Sequence, residues 1–229
     1  MTPARICLAA ALTLLPLLAP AQSPATHSDP RIGNILDTLG KTRTPSFSDI
    51  SPDGKTVAWS VRGSKDYELH LTEISNPSKD ISLRPTSDAA DCGSDAPSWS
   101  PDGETLAYAS TCTPEHNGQA QIFLWSKKSG QSRQLTHVTG TIDDLAWSPD
   151  GRQIAFLFVE NATRSAGALA AMKPWNGVYG EDGVEVQRVY GVDLATGAGN
   201  WLTPQNLHVY EFSWAPSSHQ IAFVAANPP

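Results

Sequence analysis

A short run, Leu145-Ala-Trp-Ser-Pro-Asp-Gly151 followed by Gln153-Ile-Ala-Phe156, occurs in recognisable form four times along this 229-residue chain. The other copies are Ile50-Ser-Pro-Asp-Gly54 with Val57-Ala-Trp59, Trp99-Ser-Pro-Asp-Gly103 with Leu106-Ala-Tyr108, and a degenerate Trp214-Ala-Pro-Ser-Ser218 with Ile221-Ala-Phe223. Self-similarity at a fixed period decides an architecture before any single residue does, because each unit must bury its apolar face against the next. The prolines stand at 52, 101, 149 and 216. The first two intervals fit the period of four-stranded propeller blades, and the longer third reads as a blade with an insertion.

Inside each unit, an aromatic or isoleucine residue ends an apolar strand two residues before the proline. Pro-Asp-Gly then supplies a turn: proline presets φ, aspartate bonds its own backbone, and glycine accepts positive φ. The apolar-alanine-aromatic triplet that follows reads as a buried strand. The alanine column (Ala58, Ala107, Ala155, Ala222) implies close approach of backbones. The flanking columns, Val57 to Ile221 and Trp59 to Phe223, are expected to pack between blades, each aliphatic burial contributing about 1.5–3 kcal/mol. Further strands are expected at Ile122-Phe-Leu-Trp125, Arg133-Gln-Leu-Thr136, Val189-Tyr-Gly-Val-Asp-Leu194 and Trp201-Leu-Thr203. In the first unit, 67–74 and 81–83 take these roles.

The expected fold is all-β: an incomplete β-propeller of about three and a half four-stranded blades, with a helical or loop insertion in the third. The blades fall at about 44–86, 95–137 and 141–203, with a half blade at 207–226, inside a propeller region of 41–229. A propeller closes with typically four to eight blades, so the count reads as the N-terminal piece of a longer protein.

Residues 1–21 read as a secretory signal, with Arg5 in the n-region, Ile6 to Leu18 as the apolar stretch and Ala19-Pro-Ala21 at the cleavage site. That stretch is too short to span a membrane stably, and the expected location is periplasmic or secreted. Residues 22–40 read as a leader and a short helix, with apolar residues at 32, 35, 36 and 39. The formal net charge of −7 would become −8 on cleavage. With no basic stripe, nucleic acid is not an expected partner. Cys92 and Cys112 each lie ten residues from Asp102. If the strands about that turn pair, the two emerge nearly opposite one another, and in an oxidising compartment a disulfide is expected; two buried free thiols are the alternative.

No catalytic residue is expected in this chain. It lacks a Gly-x-Ser-x-Gly nucleophile turn, a phosphate loop and a paired-carboxylate pattern with clear geometry. Histidines 70, 116, 137, 208 and 219 read as structural or exposed. No metal site is expected, since no Cys-x-x-Cys occurs and the histidines lack ligand spacing, and no cofactor either. The insertion breaks the scaffold pattern: Ser165 to Met172 has helix-forming composition, and Gly180-Glu-Asp-Gly183 is acidic and turn-rich. Loops on rigid scaffolds carry function disproportionately. One reading of the insertion is a solvated extension. The other places Glu181, Asp182 or Arg188 in the central cavity, holding a charged end of a ligand.

The Trp-Ser-Pro-Asp-Gly pattern resembles the TolB-like propeller repeat of periplasmic and secreted bacterial proteins. The run Gly167 to Pro174, with Gly180 to Arg188 and His208-Val-Tyr-Glu-Phe-Ser-Trp214, resembles the N-terminal propeller of bacterial prolyl oligopeptidase-family serine peptidases, in the dipeptidyl or acylaminoacyl peptidase branch. That resemblance implies a C-terminal α/β-hydrolase domain, absent from this sequence, for which the propeller gates and positions peptide substrates. It also implies that Glu181-Asp182 could be the counterpart of an acidic pair that binds the substrate amine. The alternative is a TolB-like periplasmic propeller acting as a protein-interaction module. A third possibility, a stand-alone truncated product, predicts poor solubility.

Overall fold

Each Ser-Pro-Asp-Gly copy folds into the same hydrogen-bonded turn. In the first, the Ser51 hydroxyl donates to Asp53 Oδ1 at 2.6 Å, the same oxygen accepts the Lys55 N–H, and Ser51 Oγ accepts the Thr56 N–H. Ser100–Asp102 and Ser148–Asp150 repeat the set bond for bond. Gly54, Gly103 and Gly151 close these turns at φ of 68°, 71° and 69°, a region that side chains disfavour. The fourth copy has Ala215 and Ser217 at the serine and aspartate positions, so it has no carboxylate to repeat the pattern.

A computed structural model describes residue 34 and residues 45–63, 66–84, 92–115, 117–162, 185–217 and 219–227. The expected signal peptide, leader and short helix lie outside these, apart from Asn34, which is helical. The central part of the insertion, including Glu181 and Asp182, lies outside them as well.

Residues 43–229 form one unit. Its strands in chain order are β1 (Pro45–Ile50), β2 (Thr56–Arg62), β3 (Tyr67–Glu73), β4 (Asn76–Leu83), β5 (Ser94–Trp99), β6 (Thr105–Ser110), β7 (Gln121–Ser126), β8 (Ser132–Gln134), β9 (Gly140–Trp147), β10 (Gln153–Glu160), β11 (Arg188–Asp193), β12 (Gly199–Trp201), β13 (His208–Trp214) and β14 (Ile221–Ala226). They form antiparallel sheets in the orders β1-β2-β3-β4, β5-β6-β7-β8 and β9-β10-β11-β12, with β13-β14 as a two-stranded fourth. The chain is all-β in these residues, as the repeat implied. The up-and-down order puts every Ser-Pro-Asp-Gly turn at one end of the strands, the turn face. The strand ends that lead into the β2–β3, β6–β7 and β10–β11 connections, and into the crossings between sheets, are at the other end, the loop face.

The two side-chain columns divide their work between neighbouring sheets. Ala58, Leu69, Leu71 and Leu83 of the first sheet pack on Trp99, Leu106, Tyr108, Phe123 and Trp125 of the second. Ala107, Ile122 and Leu124 then meet Ile154, Phe156 and Phe158 of the third, and Ala155, Leu157 and Val189 meet Val209, Phe212 and Trp214 of the fourth. Ala58, Ala107 and Ala155 therefore face the following sheet, while the large residues beside Ala107 and Ala155 face the preceding one. This is the pleat's alternation used to stack sheets at close range. Ala58, Ala107 and Ala155 are fully buried. Ala222 is exposed, as is the neighbouring Val224, for no described sheet lies beyond β14.

Candidate functional site

The first strands of successive sheets, β1, β5, β9 and β13, approach one another, which makes them the inner strands of the stack. Three hydrogen bonds tie them together. The Trp99 backbone N–H donates to Asp49 at 2.7 Å, the Trp147 indole N–H to the Ser98 carbonyl at 2.9 Å, and the Trp214 indole N–H to the Ala146 carbonyl at 3.4 Å. Every inner strand also breaks register once against its partner, between Pro45 and Phe47, between Asp95 and Ser98, opposite Ala155 to Leu157, and between Val209 and Glu211. A bulge re-aims the side chains around it. Two of these bulges hold non-glycine residues at positive φ, Ala96 at 48° and Asp144 at 47°. Such conformations cost on the order of 1–3 kcal/mol and concentrate at functional sites.

Carboxylates gather at these bulges. Asp95 sits half-buried where β5 breaks register, and burial pushes its carboxyl up to about 6, with the charges of Asp66 and Asp143 adding to the effect. Asp144 is exposed, and partial desolvation raises its carboxyl, followed by the charges of Asp143 and Glu211. The acids thus come from β5, β9, β13 and the β2–β3 connection. Asp66 and Asp95 line a loop-face cavity of about 570 Å³, together with Ser110, Thr111, Gln119 and Gly140. Gly93 makes the approach possible: a Cβ there would lie 2.5 Å from the Asp66 carboxyl carbon. Gly93 is itself pinned, its carbonyl accepting from Ser110 Oγ and the Thr111 N–H, and its N–H donating to Thr111 Oγ1. Next to it, Cys92 and Cys112 form a buried disulfide with Cα atoms 5.0 Å apart, the bridge expected for a hairpin in an oxidising compartment.

An acidic, partly desolvated rim attracts cationic groups and repels anionic ones. Among its described residues no serine is paired with a histidine base. The described histidines fit structural or exposed roles. His208 is fully buried, accepts the Gln187 N–H at Nδ1, and is pushed down by burial toward the neutral form. His70 stacks on Trp59 with Nδ1 2.7 Å from Asp80, and its other nitrogen faces Glu68 at 3.6 Å rather than a serine hydroxyl. Among the described residues, no three His, Cys, Asp or Glu side chains converge in a way that could hold a metal ion.

Of the expected contact residues, Glu181 and Asp182 lie outside the described residues. Arg188 opens β11 and lays its guanidinium over the Trp201 ring at 3.5 Å. Burial lowers its pKa, and the charge of Glu160 partly offsets this. In the sheet order, β10 separates β11 from the inner strand β9. Apart from the adjacent Asp143 and Asp144, the carboxylates of the inner strands lie in different repeats and form no local motif. Their signal was positional: Asp95 and Asp143 both stand six residues before the repeat proline, and Asp144 and Glu211 five before it.

No family model matches the chain. It is 30% identical over 141 residues to dipeptidyl-peptidase 5 of Porphyromonas gingivalis, a match covering 57% of this chain and 17% of that protein. Over 58 residues it is 40% identical to the uncharacterized peptidase YuxL of Bacillus subtilis, covering 25% of this chain and 8% of that protein. The chain thus spans less than a fifth of the length of either relative. In structure it is similar to the tricorn protease, with a TM-score of 0.53 and 15% identity over 79% of this chain and 15% of the other. At that identity the likeness concerns the fold, a β-propeller. The stacked sheets are those of a β-propeller segment, and the proteins it resembles in sequence are peptidases.

Proposed function

We propose that this chain is the propeller portion of a secreted serine peptidase of the prolyl oligopeptidase family. In this reading it works in the periplasm or outside the cell, and it gates and positions peptide substrates for an α/β-hydrolase domain carried elsewhere in the longer protein. The observation that carries the reading is the 141-residue match to dipeptidyl-peptidase 5, a protein named for peptidase activity. The geometry supports a positioning role. Rigidly stacked sheets hold Asp66, Asp95, Asp144 and Glu211 around the inner strands, where a peptide's cationic amino end would be favoured over a blocked or anionic one. The β10–β11 connection that carries Glu181 and Asp182 leaves from the same loop face, and these two are proposed as further substrate contacts. Arg188, at the start of β11 on the same face, is proposed as a third.

Steady-state kinetics of the longer enzyme test this role. Replacing Asp95 and Asp144 together by asparagine should lower kcat/KM for peptides with a free amino end, relative to N-acylated ones, by about tenfold, the worth of roughly 1.4 kcal/mol. An unchanged ratio would remove the carboxylates from substrate selection.

A further inference from the structure

On the turn face, away from the carboxylates, a groove of about 690 Å³ runs between the second and third sheets. Its floor is apolar, from Leu124, Trp147 and Leu194, and its outer wall is β8 with the turn before it. Two aspartates border it, but both are engaged by their own turns. Asp102 accepts from Ser100 and the Glu104 N–H, and Asp150 from Ser148 and the Arg152 N–H, with His219 3.4 Å away. What remains unspent is donor capacity. Arg133 is exposed and, among the described residues, its side chain has no ion pair, ring contact or hydrogen bond, and the Gln131 side-chain amide has none either. A guanidinium offers five N–H donors in a fork shaped for a carboxylate. Among the described arginines, Arg62, Arg84, Arg152 and Arg188 all have a partner and Arg133 has none.

We propose that this groove binds an extended peptide segment in which a carboxylate sits beside an apolar side chain. The carboxylate pairs with Arg133, and the apolar side chain lies on the floor of Leu124, Trp147 and Leu194. Arg133 stands opposite Leu124 in the β7–β8 ladder, so both point to the same side of the sheet. An extended peptide, rather than a small organic acid, is the occupant that fits the wall. Among the described residues β8 pairs with β7 alone, and its outer edge offers backbone groups that another extended chain can pair with. The inference is independent of the peptidase reading, since it concerns the opposite face and a different charge.

The test titrates the 229-residue chain at low salt with the blocked peptide acetyl-Thr-Leu-Asp-Leu-Thr-amide, its Asn-for-Asp counterpart, and isocaproate. Calorimetry should show the aspartate peptide binding about tenfold more tightly than either, with added salt weakening it. Arg133→Gln should abolish the difference between the two peptides, while Lys128→Gln, another exposed cation that does not line the groove, should leave it intact. Amide shift changes on binding should centre on residues 131–134 and the Trp147 indole. Absence of binding, equal binding of the two peptides, or a difference that survives Arg133→Gln would overturn the proposal. Isocaproate binding as tightly as the aspartate peptide would overturn the choice of an extended chain.

Discussion

Asp95→Asn keeps the shape of the side chain and removes its charge from the inner rim. The Asp95 carboxyl is raised from 3.8 to about 6, first by burial and then by Asp66 and Asp143. A folded-state pKa above the unfolded value means that the native chain holds the proton more tightly. Stability therefore falls as pH rises between about 4 and 6, and the full penalty is present above that window. A rise of that size corresponds to about 3 kcal/mol, a ceiling because Asp95 keeps part of its surface in water. Urea denaturation of wild type and Asp95→Asn from pH 4 to pH 8 should show the variant more stable by about 1–3 kcal/mol at the upper end and nearly equal at the lower. In thermal melts the upper end is roughly 2–4 °C per kcal/mol for a chain of this size. High salt should shrink the part due to Asp66 and Asp143. A variant no more stable than wild type at pH 8, or a gain independent of pH, would refute the desolvated rim.

Other features of the stack have their own tests. Reducing the Cys92–Cys112 bridge, or replacing both cysteines by serine, should cost about 3 kcal/mol in denaturant unfolding, the loop-closure value for a separation of 20 residues. Ala155→Leu should destabilise the chain by about 1–3 kcal/mol because Leu157, Val189 and Val209 pack around it, whereas Ala222→Leu, on the exposed β14, should be nearly neutral in the same assay. Gly93→Ala should displace Asp66 from the cavity wall, which a titration of carboxyl chemical shifts would read as a lower Asp95 pKa.

The repeat made the architecture legible because its turn chemistry is local: serine, aspartate and glycine complete one hydrogen-bonded loop within a few residues. The strands after each turn were legible for the same reason. What each column faces was not, since alternation shows that two faces exist without showing which neighbour each one meets. The structure assigns Ala58, Ala107 and Ala155 to the following sheet and the large residues beside Ala107 and Ala155 to the preceding one. The bulges were hidden as well, for a register break depends on pairing between strands. Asp95, Asp143, Asp144 and Glu211 converge only once the inner strands stand side by side. Arg188 was singled out for its charge, and the Trp201 ring under its guanidinium lies on the next strand, where no sequence motif pointed. The cysteines were legible because a hairpin about a known turn fixes which residues lie opposite one another.

Labelling with a serine-directed fluorophosphonate tests most directly the central claim, that these sheets position substrates for a nucleophile they do not contain. The account predicts that the 229-residue chain takes up no label and hydrolyses no dipeptidyl or acylaminoacyl substrate. The longer protein in which we place this chain should label at one serine outside these residues and hydrolyse such substrates. A labelled serine within this chain, or a longer protein of further blades that neither labels nor hydrolyses, would contradict it.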